Sequence, residues 1–379
     1  MLTQIINGKI LTPSGWLEGG SLIISDSKIL EIANSDLPRI GAAIVDVKGD
    51  YILPGFVAMN IHGGGGKSYK EGTRDAFLTA TDVHLKHGAT TIFPTIYTAK
   101  TEKIYNSAAV CEEIIKEGNT PIKGIHVAGP YFNPNMVKGF PGAKDPDKEE
   151  YLKILSKASC IRRWDLSPEL PGAYDMAKVL KWKNIVAGIT HTQAEFEVVK
   201  ESYEAGFTHV SQLYNSMPGF HKRGEYKYEG TVESVFLIDD MSVEVIADGR
   251  HLPATILRLV YKLKGVENMS LVTCALKYAG YDGEIEPDSD FIIEDGVCKL
   301  KDHSSLAGSI ATMDKVVKVA VEAGIPFEDV IRMASETPAK VMGCFDKVGS
   351  LEEGKDADIV LMNKDLTVTG VWSQGVRHV

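Results

Sequence analysis

The chain has 379 residues, 44% apolar and 24% charged, with 41 Lys and Arg against 51 Asp and Glu for a formal net charge of −10. That length allows one large domain or two or three smaller ones, and the composition is that of an ordinary folded protein rather than a disordered or fibrous one. The acidic balance, with no Lys/Arg-rich run, excludes nonspecific nucleic-acid binding and requires any anionic ligand to be met by local cations.

The opening MLTQIINGKI has no charged segment leading into an apolar one, and no apolar run reaches about 18 residues, so a cytoplasmic protein without a membrane partner is expected. Residues 1–50 read as short strands (TQIING, KILTP, GSLIISDSKILEI, AAIVDVKGD) broken by Gly, Pro, Asn and Asp. Residues 347–379 repeat that texture, so the two ends are expected to pair into one small β-sandwich with the rest inserted between them. Residues 51–346 carry eight candidate strands, each followed by helical periodicity: ILPGFVAMN, ATTIFPTI, IKGIHVAGP, CIRRWDLSPE, NIVAGIT, HVSQLYN, SVEVIADG and SLVTCAL. The fold class is therefore α/β, a (β/α)8 TIM-like barrel with a terminal β-sandwich.

The clearest unit spans Asn184 to Arg223. Asn184–Ile189 suits a strand buried on both faces, and Phe196, Val199, Tyr203 and Ala205 mark the apolar face of a helix that Gly206 stops. Phe207 to Leu213 is the returning parallel strand. His191 and Gln212 then fall at the C-terminal ends of neighbouring strands, where such barrels place their sites. The run Gly63 to Gly66 predicts a loop with exposed N–H groups able to meet an anion. His84, His87, His209, His221, His303 and His378 are read mostly as surface residues, and the five dispersed cysteines suggest neither disulfides nor a cysteine zinc cluster.

The strand ends carry a specific resemblance. LPGFVAMNIHGGGG, GIHVAGPYFN, HTQA, QLYNSMPGFHKRGE, ADGRHL, LVTCALKYAG, LAGSIATM and GSLEEGKDADIVL follow in order, and the chain resembles the N-acetylglucosamine-6-phosphate deacetylase branch of the amidohydrolase superfamily. The resemblance implies hydrolysis of a carbon–nitrogen bond, removing the acetyl group of a phosphorylated amino sugar with a metal-bound water, in a homodimer. It also implies a divalent metal such as zinc held by a third-strand Glu, a fifth-strand His and a sixth-strand His, with an eighth-strand Asp as base. Here those positions read Ala128, His191, Gln212 and Cys274, so only His191 is kept. Alanine cannot coordinate, and an amide is a poor ligand for a transition metal.

The resemblance further implies substrate contacts from Asn215 and Ser216, a phosphate contact from Arg223, often across a dimer interface, acyl-oxygen contact from His251, and closure over the sugar by the loop from Leu306; Pro141 replaces a hydroxyl-binding histidine. Catalytic roles fall to His251, as oxyanion donor, and to Cys274. His62, in an N-x-H arrangement with Asn60, joins His191 as a candidate metal ligand, and a rebuilt His62, His191 and Cys274 zinc site is an open expectation. The leading expectation is a deacetylase-like amidohydrolase with a degenerate or rebuilt metal site. The alternatives are a metal-independent sugar-phosphate isomerase or lyase and a noncatalytic sugar-phosphate binder.

Overall fold

The computed structural model describes residues 2–137, 140–285 and 290–379. Eight parallel strands form the central sheet: Phe56–Ile61, Ala89–Tyr97, Ile125–Ala128, Ile161–Leu166, Val186–Ile189, Phe207–Val210, Ser242–Ile246 and Met269–Val272. They neighbour one another in sequence order. A parallel bridge between Ile61 and Ala275 brings the last strand back to the first and closes the barrel. All eight run where expected, though the sixth ends at Val210 rather than Leu213, which leaves Gln212 beyond the strand.

The run ILPGFVAMN forms two strands, not one. Tyr51–Pro54 lies antiparallel to Ile359–Met362 in a six-stranded sheet of the terminal layer, and Phe56–Ile61 opens the barrel. Gly55 makes the break, because a Cβ there would sit 1.9 Å from the Thr90 hydroxyl. The second terminal sheet has four strands, Lys28–Ala33, Ser21–Ser25, Leu2–Ile6 and Ala43–Asp46. Ile5, Ile10, Leu22, Ile24, Ile52, Ile359 and Trp372 form one buried cluster shared by the two sheets, which is what joins the chain ends.

Helices cover the barrel as the sequence periodicity predicts. Phe196–Ala205 buries Val199, Ser202 and Ala205 and stops at Gly206, whose φ of 117° terminates it without the cost a side chain would add. An element the sequence reading lacked follows the eighth strand: Phe291–Glu294, Val297–Leu300 and Leu306–Ser309 form a three-stranded antiparallel flap. Its tight turn is Asp295-Gly296, both with positive φ, the usual solution for a two-residue hairpin. A bridge from Ser309 to Ala275 fastens the flap to the barrel mouth.

Candidate active site at the barrel mouth

A cavity of about 1020 Å³ opens at the C-terminal ends of the strands. His62, His191, His251 and Cys274 line it, and so do Asn215, Ser216 and Leu306, the last from the flap. Arg223 is not among the lining residues. It sits on a hairpin (His221–Arg223 and Tyr226–Tyr228), 2.9 Å from a Glu195 carboxylate oxygen and stacked 3.7 Å over the Tyr228 ring.

The backbone of the mouth is unusual. His191, Gln212 and Cys274 have φ of 45°, 50° and 49°, and Tyr214 and Ser216 also lie in the left-handed region. Side-chain-bearing residues pay about 1 kcal/mol or more each for that conformation, and such residues gather at functional sites. At the ends of the fifth, sixth and eighth strands the chain thus turns sharply enough to aim three side chains into one space.

The side chains so aimed are electrically quiet. Cys274 Sγ lies 3.4 Å from His62 Nε2. Burial pushes the thiol well above its ordinary range, and burial holds His62 down to about 3, with His126 adding to the effect. The pair is a neutral thiol against a neutral imidazole, not a thiolate nucleophile. Burial likewise lowers His191 to about 4, Asp165 opposing it. The His191 ring packs 4.6 Å from that of Phe132 and 6.1 Å from that of Tyr97, and its Nδ1 is buried without a hydrogen bond. His251 is held differently. Its Nδ1 bonds Asp248 Oδ2 at 2.7 Å, and the Asp248 carboxylate also accepts the His251 and Arg250 backbone N–H groups. Burial would raise Asp248, but the His251 side chain and the backbone N–H groups of His251 and Arg250 together outweigh it and keep the carboxyl ionised. The ring is thereby oriented with Nε2 as the nitrogen left for a ligand.

One layer below the mouth lies a buried charge network. The Arg163 guanidinium donates two bonds of 2.7 Å to Asp165 and one of 2.6 Å to Glu244. Glu244 also accepts from Asn60 (2.5 Å) and Ser211 (2.8 Å) and lies 3.3 Å from His209 Nε2, while His126 Nε2 lies 2.9 Å from Asp165. Arg163 and Asp165 are two residues apart on one strand, so both point inward. Burial alone would neutralise both carboxyls; the Arg163 charge, together with the hydrogen bonds to each carboxylate and with His126 on Asp165 and His209 on Glu244, reverses that and holds both low.

The family model for the amidohydrolase family matches residues 51–377. The chain belongs to the amidohydrolase family. It is 28% identical over 374 residues to N-acetylglucosamine-6-phosphate deacetylase of Bacillus subtilis, covering 95% of this chain and 92% of that one. It is 27% identical over 388 residues to N-acetylgalactosamine-6-phosphate deacetylase of Escherichia coli O157:H7, covering 99% of each. The crystal structure of N-acetylglucosamine-6-phosphate deacetylase from Pasteurella multocida superposes with a TM-score of 0.92 at 26% identity, covering 99% of each chain.

Amidohydrolases typically work with a divalent metal, but the donors present in this member do not fit one. Ala128 offers no donor and Gln212 only an amide. Among the described residues no group of three or more His, Cys, Asp or Glu is arranged to hold a metal ion, His62, His191 and Cys274 included. His62 spends its Nε2 on Cys274, and His191 is packed among aromatic rings.

Other expectations are corrected by the structure. In the Gly63 to Gly66 loop the N–H groups of Gly63, Gly65 and Gly66 are not open to an anion, because they are bonded to the carbonyls of Ala275, Ala279 and Lys277. His84 and His209 are buried, not on the surface; His84 Nε2 lies 2.9 Å from the Gly63 carbonyl oxygen and His209 belongs to the network. The sequence reading also missed Lys70, Lys103, Lys277 and Tyr97 on the cavity wall. Tyr97 was legible at the end of ATTIFPTIY, one residue past the expected strand. The lysines come from three separate segments of the chain and carry no local signal.

Proposed function

We propose that this amidohydrolase takes a phosphorylated amino sugar into the barrel mouth as a deacetylase-like protein that has parted with the family's metal cage and carboxylate base. One observation supports the reading: Asn215, Ser216, His251 and Leu306, four of the five residues matched to substrate contacts, line one cavity, whereas the three positions matched to cation ligands carry one imidazole, His191, beside an alanine and an amide. In this reading Asn215 and Ser216 meet the phosphate and His251 Nε2, steadied by Asp248, meets the acyl oxygen. Arg223, outside its own cavity, serves the ligand of a second copy in a cytoplasmic homodimer. With a protonated thiol in place of a carboxylate at the eighth strand, water activation lacks its base, a loss worth about 10²-fold to 10⁴-fold in rate.

The test is thermal stabilisation by glucosamine 6-phosphate and its N-acetyl form, followed by a coupled assay for acetate. Stabilisation by the sugar phosphates, reduced in Asn215→Ala, is expected; no stabilisation by any amino-sugar phosphate would sink the substrate assignment. The neutral Cys274–His62 pair favours a second reading, in which the protein binds the same ligand without hydrolysing it. Stabilisation without acetate release would select that reading, and conversion of the sugar phosphate to another species would select an isomerase or lyase.

A further inference from the structure

The cavity has a second polar rim that no substrate contact above uses. Lys70 lies in the loop after the first strand, Lys103 in the first turn of helix Thr101–Glu117 after the second, and Lys277 in the loop after the eighth. All three line the cavity. Strands eight, one and two are adjacent in the closed barrel, so this rim starts two strands round the barrel from the sixth-strand loop that carries Asn215 and Ser216 and extends to the strand opposite it.

Three cations gathered on one wall of a protein with net charge −10 need a reason. Lys67, three residues before Lys70, is neutralised by Asp75 at 2.8 Å. Lys70 and Lys103 enter no ion pair among the described residues. The lining also holds two acids, Glu71 and Asp290, and Glu71 accepts the Ser68 backbone N–H at 2.6 Å. The lysines are close enough to feel one another: Lys70 is lowered by burial first, then by repulsion from Lys103 and Lys277. An anion placed among them would relieve that repulsion, and ammonium groups on separate segments suit a multiply charged oxyanion.

We propose that Lys70 and Lys103, with Lys277 beside them on the same wall, form a second anion-binding subsite, so that the cavity takes an amino-sugar derivative with an acidic group at each end. This rests on the reading above for the first acidic group and the sugar, and on the lysine rim alone for the second.

Calorimetric titration of the full chain at fixed ionic strength tests it with glucosamine 6-phosphate, glucosamine 1,6-bisphosphate and inorganic pyrophosphate. Wild type is expected to bind the bisphosphate about tenfold or more tightly than the monophosphate. Lys70→Ala/Lys103→Ala should lose that advantage while keeping the monophosphate, and Lys67→Ala, outside the cavity, should keep both. Equal affinities in wild type, an advantage that survives the double substitution, or loss of monophosphate binding with it would each overturn the proposal. Pyrophosphate separates the two readings: if no sugar ligand binds but pyrophosphate binds wild type and not the double variant, the anion rim stands and the amino-sugar assignment falls. If nothing binds, both fall.

Discussion

The buried layer of the barrel and the mouth above it treat charge in opposite ways. In the buried layer Arg163, Asp165 and Glu244 are ionised, with no exposed side-chain surface beyond 2%, because each carboxylate has the guanidinium and further hydrogen-bond donors against it. In the mouth, burial without such partners leaves His62, His191 and Cys274 uncharged. A buried ion survives only where its partners offset the loss of water. A metal would be such a partner for the mouth, and Ala128 and Gln212 offer it neither a carboxylate nor an imidazole.

The sharpest way to break the contrast is to remove the cation of the lower layer. Arg163→Met should destabilise the protein by about 3–5 kcal/mol in denaturant unfolding, since two buried carboxylates lose their partner; a change below about 1 kcal/mol would show that the network is not held by charge. Acidification probes the buried histidines next, two in the mouth and His84 beside the Gly63 carbonyl. His62, His84 and His191 have folded-state values of about 3, 4 and 4, below the ordinary 6.5. The unfolded chain therefore binds more protons as pH falls, so their stabilisation is complete above pH 6.5 and is lost toward pH 4, about 3 kcal/mol for each. Asp358, raised by burial to about 6, acts the other way: its protonation favours the fold as pH falls from 6 to 4, offsetting part of that loss. The melting temperature should fall across this window, and fall less in His62→Asn.

Rebuilding the cage sharpens the comparison further. Ala128→Glu/Gln212→His/Cys274→Asp should retain about one zinc per chain through purification, whereas wild type should neither carry stoichiometric zinc nor change its melting temperature with chelator. The smallest effect is expected of Cys274→Ser, at about 1 kcal/mol or less, since the neutral thiol at 3.4 Å from His62 is exchanged for a slightly smaller hydroxyl. A loss several times larger would mean that Cys274 is charged or bound.

What could be read directly from the chain was periodic or consecutive. The eight apolar runs dictate a parallel barrel because strands buried on both faces admit little else, and ordered motifs such as HTQA, LYNSMP and ADGRHL fix which strand ends face the site. The same runs hide the Gly55 break, which exists because Thr90 from a neighbouring strand leaves no room for a Cβ. Tertiary structure alone decided which charges are paired and which are exposed to the cavity. Arg163 in CIRRWDLSPE looks like any strand charge until Glu244, 81 residues later, closes on it, and Lys70, Lys103 and Lys277 become one rim only when the barrel brings its eighth strand beside its first. Local pattern determines where the backbone goes, but the energy of a charge depends on every neighbour that excludes water from it, and those neighbours come from distant parts of the chain.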